Sequence, residues 1–246
     1  LDETKRRLLA KDRNNPRKYI RMDIYGGYQN NQWIIYRGSI LECYSTRDGG
    51  ETEFKTFIDS ADTALELFLG STSASFENGV DAITQINNIG SSLLDLHIGA
   101  ISNGVSFTKP LRGQNVTGNP LKILRNLGVI NSSDGQESTM CSDLGEVYFL
   151  RPDMDIIKKF GVLQIDDSFG LLGTPRRRDT IISVKMIFEP SANLNQLCVM
   201  ESKTLGIWGK YKVLGVSHNG IISGAKNGNL ITTIDLFLGT NEFYEV

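Results

Sequence analysis

Residues 24–40 read IYGGYQNNQWIIYRGSI: two glycines, a polar tip, then an apolar and aromatic run. Gly26 and Gly27 invite two readings, a cradle for a phosphate or the bend of a β-hairpin. A dinucleotide loop needs three spaced glycines between a strand and a helix, so that a pyrophosphate can approach the backbone. Here apolar residues alternate on both sides of QNN and no helical pattern follows, so the stretch reads as a hairpin. RDGG at 47–50 closes the second strand with a turn that tolerates positive φ. TEFKTFIDSA (52–61) is a third strand of period two, with Phe54, Thr56 and Ile58 on one face and Lys55, Phe57 and Asp59 on the other.

Upstream, Asp2 can cap a short helix through about Lys11, and DRNNPRK breaks it. Downstream the period changes near residue 78. Val80, Ile83, Ile86 and Ile89 form one helical stripe ending near Gly90. A second helix starts at Pro120 with Asn119 as its cap and Gly128 as its stop. LDLHIG and GEVYFLRP are short strand candidates beside these helices. From 153 the β pattern returns in FGVLQID, DTIISVKMIFEP, NQLCVMES, GKYKVLGVSHNG and NLITTIDLFL, five strands separated by polar or glycine-rich turns. That spacing suits an antiparallel barrel or sandwich. The expected organisation is a β unit over 1–71, an α+β insert over 72–152 and a second β unit over 153–246. The two β units could be distant copies of one module.

A chain of 246 residues, 40% hydrophobic and 22% charged, can bury one sizeable core or two smaller ones. No apolar run approaches the length of a bilayer span, so no membrane insertion is expected. The chain opens on Leu1, which suggests an upstream segment removed or left out. Cys43, Cys141 and Cys198 are far apart and odd in number. They read as buried reduced thiols, which fits assembly in a reducing compartment. The net charge of −2 hides an asymmetry: residues 1–21 hold eight basic against three acidic side chains, and the rest hold 18 against 25. A basic arm can bind nucleic acid or an acidic partner; a solvated helix face accounts for the same charges.

Chemistry is sparse. His97 and His218 lack a second histidine three or four places away, and no nucleophile elbow, phosphate loop or His-Glu-x-x-His is present. No metal or cofactor is expected. Asp166 and Asp167 are adjacent, and on a strand they would face opposite ways rather than converge on a glycosidic bond. The one cluster that stands out is GLLGTPRRRDT, where Arg176, Arg177 and Arg178 follow Pro175 on what reads as an extended loop. Three guanidinium groups there could grip phosphate or carboxylate as a partner contact; local pairing with Asp166, Asp167 and Asp179 is the plainer reading.

Several of these segments together resemble the baseplate hub proteins of tailed bacteriophages. MDIYGGYQNNQWIIYRGSI is similar to the first-barrel hairpin of that family. FGLLGTPRRRDTIISVKMIFEP, GKYKVLGVSHNGIISG and LITTIDLFL are similar to strands of its second barrel. The chain departs from the family where Asn195-Gln196 stands for a frequent Pro-Gly and Ile221 for a common Asp. Further barrel strands usually precede the helix that opens this chain, so the first barrel is expected to be incomplete or to draw strands from a missing segment. The resemblance implies a mainly β chain, two tail-tube-like antiparallel β-barrels flanking a small α+β module, and a structural role without catalysis. It also implies a homotrimeric ring in the virion baseplate, assembled in the host cytoplasm. That ring would join the hexameric tail tube protein to a trimeric spike or tail-tip protein, meet the tape measure protein and leave a channel for DNA in transit. The acidic remainder would suit such a channel. Alternatives are a tail-tip protein of a non-contractile tail, a hub-like part of a contractile injection system, and a peptidoglycan hydrolase.

Overall fold

The computed structural model describes residues 3–9, 19–28, 31–47, 55–101, 113–129, 139–151, 155–202, 207–220, 230–237 and 244–245. The chain is mainly β, with few helices and five sheets among the described residues, none of them closed. After helix α1 (Glu3–Leu9), strands β1 (Arg21–Tyr28), β2 (Asn31–Thr46) and β3 (Lys55–Ala61) form an antiparallel meander. The opening stretch is therefore the hairpin its pattern predicts. Its glycines, however, are not the bend: Gly26 pairs with Trp33 and Gly27 with Gln32 inside the ladder. The tip at 29–30, Asp2, Phe54 and the turn residues 48–50 lie outside the described residues. Among the meander's described residues, Ile40 and Cys43 are the buried apolar side chains, whereas Tyr44 and Phe57 stack on each other in the open.

Helix α2 (Ala64–Leu69) follows, a short apolar run that its sequence did not mark as helical. The insert contains β4 (Thr72–Phe76), α3 (Ala82–Gly90), β5 (His97–Ile101), β6 (Gln114–Gly118), α4 (Pro120–Val129), β7 (Thr139–Asp143) and β8 (Glu146–Leu150). Both expected helices form. The first begins at Ala82, capped by Asp81, which accepts a hydrogen bond from the Thr84 amide. Asn119 Oδ1 accepts from Lys122 N, as a cap does, but α4 runs one residue past Gly128. One core gathers Ile86, Ile89, Leu121, Leu124 and Leu127 from the helices with Leu96, Val147 and Phe149. Ile83 lies off that stripe and is exposed, because a period of 3.6 carries the buried face through Ala82, Gln85, Ile86 and Ile89.

The remaining strands are β9 (Asp155–Ile156), β10 (Val162–Ile165), β11 (Arg176–Arg178), β12 (Ile181–Ile187), β13 (Leu197–Ser202), β14 (Ile207–Gly220), β15 (Leu230–Phe237) and β16 (Tyr244–Glu245). β9 pairs with β16, and the other six form one sheet in the order β10-β13-β14-β15-β12-β11. Period two is plain in β12, where Ile182, Val184 and Met186 are buried between exposed or half-buried neighbours. The sheet is mixed rather than wholly antiparallel, because β10 and β13 run the same way. The chain leaves the sheet after β10 and passes through β11 and β12 before β13 returns beside it, a crossover long enough for parallel pairing. Consecutive strands β10 and β11 occupy opposite edges, yet β10, β12, β13, β14 and β15 all feed one core. The sheet therefore curls around its own apolar face.

Candidate partner-contact surface

Arg176, Arg177 and Arg178 do not sit on a loop. They form β11, the open edge of the six-stranded sheet, with Arg176 opposite Ser183 and Arg178 opposite Ile181. Pro175 is buried just before the strand, and Asp179 turns the chain away at φ 46°. Alternation splits the cluster. Arg176 and Arg178 face outward over a groove of about 350 Å³, while Arg177 lies on the Tyr211 side. Segment 172–174 forms the other wall, held where Leu172 N donates to Lys185 O at 2.7 Å. Ser183, Lys185 and Thr233 make the floor. Sequence reading missed Lys185, which belongs to the next strand but shares the face. None of these cations pairs with an acid among the described residues: Asp166 instead caps the turn at Asp167–Phe169, accepting from Ser168 N and Phe169 N. Asp166 and Asp167 therefore lie in that turn and not on a strand.

The basic N-terminal arm divides too. Arg21 reaches across to Asp95 of the insert at 2.7 Å, and residues 10–18 lie outside the described residues.

The histidines stay apart. His97 is exposed on β5. His218 is half-buried, its ring edge-on to Phe188 at 5.3 Å and its Nδ1 2.9 Å from Thr232 Oγ1. Burial holds its pKa below the ordinary value despite nearby Glu189. Among the described residues, no group of three or more His, Cys, Asp or Glu could hold a metal. Cys43 and Cys198 are buried, Cys141 partly so, and none forms a disulfide; burial pushes the Cys198 thiol up to about 12.

Where insert and second sheet meet, Asn195 and Gln196 act as a clamp. Asn195 sits at φ 59°, a left-handed conformation that Asn tolerates better than most residues. Its Nδ2 lies 3.2 Å from Cys141 Sγ, its N–H donates to Val213 O and its C=O accepts from Ile157 N. Buried Gln196 donates from Nε2 to Phe160 O and accepts from Asn193 N. Of these bonds, Asn195 Nδ2 to Cys141 Sγ crosses to the insert, while those of Gln196 stay within the second unit; both residues are departures from the hub pattern.

Beside them, burial pushes the Asp143 carboxyl up to about 6, with Asp62 adding to the rise and the Leu194 amide opposing it. The folded value lies above the ordinary 3.8, so the buried charge costs stability above pH about 6, and the cost fades as pH falls toward 4. Asp143→Asn should therefore raise stability at pH about 7.5 by about 1 kcal/mol and leave it unchanged near pH 4. Urea unfolding at both pH values measures this; a difference independent of pH would place the ionised carboxyl in solvent.

No family model matches the sequence, and no curated protein matches it. Among solved structures the chain is similar to the crystal structure of the 43 kDa tail protein of prophage MuSo2 from Shewanella oneidensis. The identity is 13% and the TM-score 0.52, covering 82% of this chain and 76% of that one. At that identity the likeness speaks for architecture alone: this mainly β chain has the fold of a prophage tail protein.

Proposed function

We propose that the chain is a structural protein of a phage tail, and within the tail a baseplate hub. Three copies form a ring that adapts the hexameric tube to a trimeric spike or tail tip, leaving a central channel through which DNA passes. The tape measure protein is a further neighbour in this reading. The observation that carries it is the fold shared with a prophage tail protein over 82% of the chain. Two features of the chain agree with a building role. Its units are joined by side-chain bonds such as Lys212 Nζ to Arg151 O and Asn195 Nδ2 to Cys141 Sγ, and among the described residues sheet edges remain unpaired, available for lateral pairing. No catalytic step is assigned to it.

Sedimentation equilibrium tests the ring. The expected mass is three times that of the 27.3 kDa chain, either alone or after addition of the tube protein from the same tail. A chain that stays monomeric under both conditions would overturn the hub reading and leave the tail fold standing.

A further inference from the structure

The groove beside β11 has a chemistry of its own. Arg176 and Arg178 are alternate residues of an extended strand, so their side chains project about 7 Å apart. Lys185 lies on the same face one strand over, two residues beyond Ser183, the partner of Arg176. Three like charges thus stand on one face, none in an ion pair with an acid among the described residues; Asp235, across from Ser183 on β15, is hydrogen-bonded to Ser183 Oγ. The row is framed by exposed apolar side chains on the same outer face: Leu172 (41%), Ile181 (36%) and Ile187 (50%).

We propose that this groove binds an extended acidic segment of a partner protein, with carboxylates at alternate positions meeting Arg178, Arg176 and Lys185. The two arginines have the spacing of alternate side chains in a strand, Lys185 stands diagonally one strand over, and a guanidinium fork matches a carboxylate in two hydrogen bonds. The apolar frame would cover leucine- or valine-like neighbours of the acids, and it offers nothing to a sugar-phosphate chain. Three cations over about 350 Å³ are also few for a duplex, whose binders track a longer row of phosphates. The groove keeps this chemistry whether or not three copies close into a ring.

The test uses the whole chain and a labelled synthetic peptide, Leu-Glu-Ser-Glu-Ser-Glu-Leu, followed by fluorescence anisotropy at low ionic strength. Saturable binding is expected, weakened about tenfold or more by Arg176→Gln with Arg178→Gln, and lost when Gln replaces Glu in the peptide. Arg177→Gln, on the opposite face, should stay within about twofold of the parent. All three arginines are exposed, so circular dichroism and the urea midpoint should be unchanged in the variants. Any of four results overturns the assignment: no saturable binding; an equal loss from Arg177→Gln; tighter binding of duplex DNA than of the peptide; or a changed oligomeric state in the double variant, which would give the groove to another copy of this chain.

Discussion

Glu66→Ala should lower the unfolding free energy by about 2–4 kcal/mol, a large share of a typical domain's total. The side chain is fully buried at the first turn of α2, and its Oε1 accepts three backbone N–H groups: Leu94 and Asp95 at 2.7 Å, Leu96 at 3.1 Å. Those three amides open the path into β5, where Leu96 enters the insert core and Asp95 pairs with Arg21 of β1. The same residue is held from behind, since Asn119 Nδ2 donates to Glu66 O at 2.6 Å while its Oδ1 caps α4. Alanine removes the acceptor that three amides share; that of buried Leu96 is left without one away from solvent, and an unmade buried hydrogen bond costs more than a made one contributes. Glu66→Gln keeps one carbonyl oxygen for the amides and should cost less, about 1–2 kcal/mol. Urea unfolding followed by far-UV circular dichroism reads both, with an unchanged slope expected. A loss under about 1 kcal/mol for the alanine variant would mean that segment 94–96 is held by its apolar packing alone.

Glu66 also shows where sequence reading stops. A glutamate in ALELFLG carries no sign that its oxygen will meet amides 28 to 30 residues on, because those donors have no side-chain identity to read. The same run hid α2, whose six residues are too short to show a helical period. Where order is local, reading succeeds. Period two in β12 and the Asn119-Pro120 start of α4 each depend on neighbours a few residues away. The partner surface falls between. Three adjacent arginines announce a charged site, but only strand pairing reveals that Arg177 faces away and that Lys185 takes its place. Likewise Gly26 and Gly27 mark a hairpin correctly, but Gly26's reason for being glycine lies in tertiary packing and Gly27's in the hairpin's own backbone. A Cβ on Gly26 would stand 2.6 Å from Phe188 Cζ, and one on Gly27 1.9 Å from Asn31 O.

That contact gives the second large effect. Phe188→Ala should cost about 3–5 kcal/mol, as deletion of a buried aromatic ring does. Phe188 follows β12 and is 5% exposed; it fills the space that Gly26 leaves open, meets the Tyr28 ring and has His218 edge-on to it. Its own carbonyl accepts from Tyr28 Oη at 2.8 Å, so ring and backbone together dock the first hairpin on the second sheet. Two readouts separate undocking from general weakening. Amides of β1 and β2 should exchange about a hundredfold faster in Phe188→Ala, the equivalent of about 3 kcal/mol, while those of β14 and β15 stay closer to the parent. His218 should titrate nearer its ordinary 6.5 once the ring that buries it is gone. In the parent its depressed value means that stability is lost as pH falls through about 6.5, because the unfolded chain takes up the proton first. Phe188→Ala should flatten that loss. Tyr28→Phe, which removes one hydrogen bond and keeps the ring, should cost only about 1 kcal/mol and leave the His218 titration in place. If exchange rises equally in all strands, and His218 does not move, the hairpin and the six-stranded sheet unfold as one body, and their contact is a core rather than a joint between units.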